Sequence, residues 1–168
     1  LADAKSVKTT AELRGDVEPD SPRLSREQHA AYRRLVGKLM YAVNLRVDLA
    51  YIAKELARHV SAPTHAHWVM ARRVLRYVRG TVDYGLHITQ EKISDDPEIV
   101  AFVDADYAGG KDRRSTSGGV LIYRGVLLHS WSRTQATVTL STAEAELVAM
   151  STGAQEGIYV QYILQELN

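Results

Sequence analysis

The sequence contains no cysteine, which excludes disulfides and thiolate metal sites and fits a reducing, intracellular compartment, whether cytoplasmic, nuclear or organellar. No apolar run approaches the roughly 20 residues needed to cross a bilayer, so no membrane span is expected. The opening, LADAKSVKTT, lacks the apolar stretch of a secretory signal, and a start at Leu1 rather than Met suits a piece of something longer. Internal repeats and low-complexity tracts are also missing. Net charge is nearly absent too, at +1 over 168 residues.

What is there is unevenly placed. Residues 21–92 carry 13 Lys/Arg against 5 Asp/Glu, residues 93–168 carry 5 against 10, and residues 1–20 carry 3 against 5. A basic half joined to an acidic half suits a protein that holds a polyanion on one side and cations on the other. The hydrophobic share of 45% is enough for one ordinary core or two small ones.

The pattern along the chain predicts an α+β protein in four parts. Residues 1–24 read as an extended arm broken by Pro19, Ser21 and Pro22. Residues 25–83 read as a helical module. Ser25 and Gln28 form a capping-box pattern before Tyr32, Leu35, Val36, Leu39, Met40 and Val43. A second helix is expected from about Asp48 to His59. A third, capped by Thr64, presents Trp68, Ala71, Val74, Leu75 and Val78 and stops at Gly80 as a C′ residue. Residues 84–97 read as a linker marked by Asp95, Asp96 and Pro97. Residues 98–168 read as three antiparallel strands, hairpinned at Arg124-Gly125, then one long helix with Ser141 as N-cap and Glu144 closing a second capping box.

The first strand drives Asp104 and Asp106 to its end. In the long helix, Gly153 and Gly157 each cost about 1 kcal/mol relative to alanine. They are expected on an inward face with Glu146, Met150, Val160 and Leu164, where they would let the helix approach the sheet. An inward Glu146 could then reach the end of the first strand and Asp104. Converging carboxylates without a basic partner call for a divalent cation, and oxygen-only ligands suit magnesium or manganese.

The stretches FVDADYAG, RRSTSGGVLIYRGVLLHSWSRTQATVTLSTAEAELVAMS, and YRRLVGKLMYAVNLRVDLAYIAKELARHV with AHWVMARRVLRYVRGTVDYGL resemble the Pol polyprotein of copia-type LTR retrotransposons. The resemblance covers residues 32 to 168, with a fainter match at KSVKTT. It implies the end of a reverse transcriptase and its connection, followed by the N-terminal half of a ribonuclease H-like domain. It gives Asp104 and Glu146 the positions of catalytic, metal-holding carboxylates in two-metal hydrolysis of RNA in RNA–DNA hybrids. Glu144 falls at the cap and reads as structural.

The family pattern continues with a further strand and two more acids, whereas this chain ends at Asn168. Glu156 lies about 15 Å along the helix from Glu146, too far to share a metal pair. Val47 and Tyr107 replace a usual proline and tryptophan. The isolated chain is therefore expected to be inactive. The alternative is a captured, non-catalytic structural or RNA-binding subunit of a larger assembly, with protein partners covering the open sheet edge.

Nucleic-acid contacts are expected from Arg72, Arg76 and Arg79, spaced four and three on the third helix, and from Arg113 and Arg114 in the first hairpin loop. His65 and His67 point to different sides of a helix, so with His59 they are not expected to bind metal. Trp68 and Trp131 read as core.

Overall fold

A computed structural model describes residues 5–10, 20–89, 93, 98–109 and 112–167. Pro19, Gly110 and the expected loop at Asp95, Asp96 and Pro97 lie outside the described residues. The chain divides into two compact units, Leu1–Gly85 and Leu86–Asn168.

The first unit is helical. Helix α1, Arg26–Ala42, begins where Ser25 Oγ accepts from Gln28 N and Gln28 Oε1 accepts from Ser25 N, both at 3.2 Å. These bonds satisfy donors that a helix start otherwise leaves unpaired. The helix buries Tyr32, Val36 and Leu39. Tyr32 is wholly buried because its hydroxyl finds the Leu56 carbonyl at 2.7 Å, and burial pushes its pKa up to about 12.

The helix expected from Asp48 to His59 is a 3-10 turn, Val47–Leu49, followed by α2, Ala50–Arg58. Helix α3 spans His65–Gly80, so Gly80 is its last helical residue rather than a C′ stop. Its N-terminus uses an unanticipated partner. Thr64 N donates to His67 Nδ1 at 3.0 Å, a capping box with histidine in the reciprocal position. The three helices close one core around Tyr32, Leu49, Ile52, Leu56, Ala71, Val74 and Tyr77, with Trp68 packed against it.

Arg46 locks the corner between these helices. It forks onto Asp48 at 3.0 and 2.8 Å and donates to the carbonyl and hydroxyl of Thr81 at 2.9 and 2.7 Å. Tyr77 adds its hydroxyl to Asp48 at 2.8 Å. The arginine fork, with the tyrosine behind it, holds the Asp48 carboxyl below the usual aspartate value.

The second unit is a three-stranded antiparallel sheet in the order β1 (Ile99–Asp106), β2 (Thr116–Tyr123), β3 (Val126–Thr134), followed by α4 (Thr142–Leu167). The hairpin turns at Arg124 and Gly125, whose φ values of 52° and 79° are both left-handed, as a two-residue primed turn requires. At the start of α4, Ser141 Oγ accepts from Glu144 N at 3.1 Å, while Glu144 Oε2 accepts from Leu140 N at 2.6 Å. Glu144 is thus a capping residue, reaching one position further back than the expected box. Among the described residues, no helix is long and apolar enough to cross a membrane.

Helix α4 meets the sheet along Ala145, Ala149 and Gly153, all buried. A Cβ on Gly153 would stand 2.5 Å from Val103 Cγ1, so only glycine permits this approach. Met150 is exposed, correcting the expected inward face by a rotation of the helix toward the alanine stripe. Small side chains at 145, 149 and 153 seat the helix closer than methionine would allow. Gly157, Val160 and Leu164 remain half-buried on the inward side.

Candidate functional site

Side chains alternate across a strand, so Val103 fixes the two faces of β1. Ala101, Val103 and Ala105 face α4, whereas Phe102, Asp104 and Asp106 leave from the opposite face. Strand pairing is unbroken from Ile99–Tyr123 to Asp106–Thr116, so no bulge resets this alternation. Asp104 is exposed on the open face.

Glu146 is half-buried beside the alanine stripe. It lies seven residues before Gly153, hence on the same side of α4 and about 10 Å nearer its start. The neighbouring Ala145 is tied through Gln135 to Ser117, which pairs with Ala105 near the C-terminal end of β1. Asp104 and Glu146 thus lie toward the same end of the unit, with Asp104 on the face of β1 that α4 does not cover. Glu156 is held elsewhere, by Arg133 of β3 at 2.8 Å.

A polar node builds this end of the unit. Gln135 Nε2 donates to Ser117 Oγ and to the Ala145 carbonyl, both at 2.8 Å. Ser117 is paired with Ala105, the neighbour of Asp104, and Ala145 precedes Glu146. Ser115 Oγ accepts from Ala108 N at 3.1 Å and bonds Thr139 Oγ1 at 2.8 Å. Gln135, Ser115, Ser117 and Thr139 are buried. Little in the sequence signals them, because bonds spanning up to 24 residues leave no local pattern.

Asp104 and Glu146 offer oxygen ligands only, the chemistry that magnesium or manganese takes. No group of three or more His, Cys, Asp or Glu side chains among the described residues is arranged to hold a metal. His67 is committed to its cap and stacks on His59 at 3.9 Å.

The arginines divide into three environments. Arg72 and Arg79 of α3 are exposed. Arg76 donates from Nε to the Lys5 carbonyl at 2.6 Å, and Arg73 reaches Thr9 Oγ1 at 3.1 Å. The expected stripe of Arg72, Arg76 and Arg79 is therefore partly engaged by the N-terminal arm. Arg113 and Arg114 are exposed, the former with a left-handed φ of 56°. Trp131 is buried in the second unit, as expected of a core residue.

No protein-family model matches the chain, and no solved structure matches it. Among curated proteins, it is 35% identical over 137 residues to the retrovirus-related Pol polyprotein from transposon RE2 of Arabidopsis thaliana, covering 81% of this chain and 9% of that one. It is 37% identical over 138 residues to the corresponding polyprotein from transposon TNT 1-94 of Nicotiana tabacum, covering 81% and 10%. It is also 37% identical over 135 residues to secreted RxLR effector protein 161 of Plasmopara viticola, covering 79% of this chain and 93% of that protein. The chain thus spans about a tenth of the transposon polyproteins it matches. It belongs to the family of copia-type retrotransposon Pol polyproteins.

Proposed function

We propose that this chain is the connection and ribonuclease H-like region of a retrotransposon polyprotein, in which the helical unit holds nucleic acid by its phosphates. The carrying observation is α3, which presents four arginines and no acidic residue from a unit closed by its own core. Such a surface neutralises phosphates without reading bases, so it suits an RNA or an RNA–DNA hybrid of any sequence. Changing Arg72, Arg76 and Arg79 together to alanine should weaken hybrid binding for all sequences alike. It should also flatten the salt dependence by up to about 3 units. Unchanged affinity in the triple variant would overturn the reading.

For the second unit the proposal separates parent from chain. Hydrolysis of hybrid RNA with magnesium or manganese is assigned to the parent polyprotein, where further acids would join Asp104 and Glu146. No hydrolytic step is assigned to these two carboxylates as they are arranged here.

A second reading, a captured and non-catalytic subunit, is supported by one observation. The chain aligns with 93% of a separate protein, the Plasmopara viticola effector, as well as with stretches of polyproteins. The intact mass of the native protein separates the readings. A mass near 18.7 kDa favours capture, and a much larger one favours the polyprotein.

A further inference from the structure

Helix α4 has a second apolar stripe besides its seam with the sheet. Ala143, Leu147, Met150, Ala154 and Ile158 recur at spacings of four, three, four and four, the period of one helix face. All five are exposed, and Tyr162 extends the row by another turn. The stripe lies on the far side of the helix from Ala145, Ala149 and Gly153, and it holds no Asp, Glu, Lys or Arg. A helix that is apolar on opposite sides is ordinarily covered on both.

The stripe is its own complement. Ala154 stands at its centre, with Leu147 and Met150 before it and Ile158 and Tyr162 after it. A two-fold axis at Ala154 that runs two helices antiparallel sets Met150 beside the partner's Ile158, and Leu147 beside the partner's Gln161 and Tyr162. The small side chain at the crossing lets the helix axes come close. Charge chooses the same arrangement. Helix α4 carries Glu144, Glu146, Glu156 and Glu166 and no Lys or Arg. A parallel pair would set Glu144 and Glu146 against their own copies, whereas an antiparallel pair sets them toward the end that holds Tyr162 and Gln165. It also lays each helix start beside the other helix's end, so the dipoles attract, and brings Glu166 from the unfavourable end of its own helix toward the start of the other.

The size fits as well. Leu147, Met150, Ile158 and Tyr162 are each half to two-thirds exposed. With the smaller side chains between them they offer roughly 600 Å² per copy, so a pair covers about 1,200 Å², the lower edge of specific interfaces.

We infer that α4 is the interface of a homodimer, in which the outer stripe of one copy packs antiparallel on that of a second, with Ala154 at the two-fold axis. The inference stands on the second unit alone and goes beyond the nucleic-acid reading, which concerns the first.

The test uses the full 168-residue chain. It is run at about 0.1 mM protein, above the micromolar end for interfaces of this size, and in about 0.5 M salt, which weakens bridging by nucleic acid. Sedimentation equilibrium should give twice 18.7 kDa. Met150→Lys with Ile158→Lys would bury unpaired charges in the interface and should return the single-chain mass. Helix content should hold, because both side chains are exposed in one chain. The chain has no cysteine, so an introduced one is its sole thiol. Oxidised with copper phenanthroline, Ala154→Cys should cross-link most of the protein, since the two sites meet at the axis. Leu147→Cys should not, because its two copies stand about 21 Å apart along the helices, far beyond the ~7 Å that a disulfide spans. Cross-linking in both variants would show a parallel pair, and in neither a different surface; each result overturns the inference. A single-chain mass for the unaltered protein overturns it too. So does a dimer that survives the double lysine variant, which would point to the open sheet face around Phe102.

Discussion

The two units bury apolar surface to different depths, although both expose large apolar side chains, among them Tyr41 and Leu45 in the first. In the helical unit Tyr32, Leu49, Ile52, Leu56 and Val74 are essentially inaccessible. Among the described residues of the second unit, only Leu121, Trp131, Ala145 and Ala149 are buried apolar residues, while Phe102, Leu128, Leu147, Ile158, Tyr159 and Tyr162 are largely exposed. One unit has closed a core; the other presents apolar side chains on the open sheet face and on the outer side of α4. Each unit therefore draws its stability from a different source. The first rests on mutual burial of three helices, and the second on one close seam between α4 and the sheet.

That contrast predicts the largest effects. Leu56→Ala should destabilise the helical unit by about 3 kcal/mol, as deletion of a fully buried leucine does. Phe102→Ala, on the open face, should change the second unit by less than about 0.5 kcal/mol. Hydrogen exchange read separately over α1–α3 and β1–β3 checks both. An equal loss in the two would erase the distinction.

The seam is tested by two neighbouring glycines. Gly153→Ala should cost about 1–3 kcal/mol because the new methyl meets Val103. Gly157→Ala has only an ordinary 3.9 Å contact with Leu121 Cδ1 and should be neutral, or gain up to about 1 kcal/mol from helix propensity. Thermal unfolding of the pair should therefore show opposite signs. If both stabilise, α4 does not press on β1 as described.

Titration offers a smaller handle on the helical unit. Tyr32 has a folded value of about 12 against an ordinary 10.0, so its contribution is complete below pH 10 and is lost as pH rises through about 12. Asp48 has a folded value below the ordinary 3.8, so its contribution is present above that value and is lost as pH falls through the lower one. Tyr32→Phe should reduce the alkaline loss, leaving the part due to Tyr77, whose pKa burial also raises, and Asp48→Asn should blunt the acid one, in urea melts followed across pH.

What the sequence revealed follows the range of the interactions involved. The caps at Ser25 and Ser141 and the turn at Arg124-Gly125 depend on residues three or fewer apart, and all were legible. The periodicity of the buried positions in α1 and α2 was legible for the same reason. The rotation of α4 was not, because its alanines and its methionine offer equally apolar faces and only the contact with Val103 chooses between them. Nor was the Arg46 corner, whose partner Thr81 lies 35 residues away. For the candidate site, the residue types of Asp104 and Glu146 were visible. That Asp104 leaves the face of β1 which α4 does not cover depends on which face the helix takes, a tertiary fact.

The smallest expected effect concerns those carboxylates. Neither has a hydrogen bond or ion pair among the described residues, so Asp104→Asn and Glu146→Gln should each shift stability by under about 0.5 kcal/mol, with or without millimolar magnesium. A marked loss would reveal a local partner.

The central claim is that this chain holds nucleic acid through its helical unit without cutting it through its sheet. The direct measurement is to follow one end-labelled RNA–DNA hybrid with the 168-residue chain in magnesium and then manganese, recording binding and strand length together. The account predicts binding that weakens steeply with salt while the RNA strand stays intact. Hybrid-dependent RNA cleavage that disappears in Asp104→Asn would contradict it.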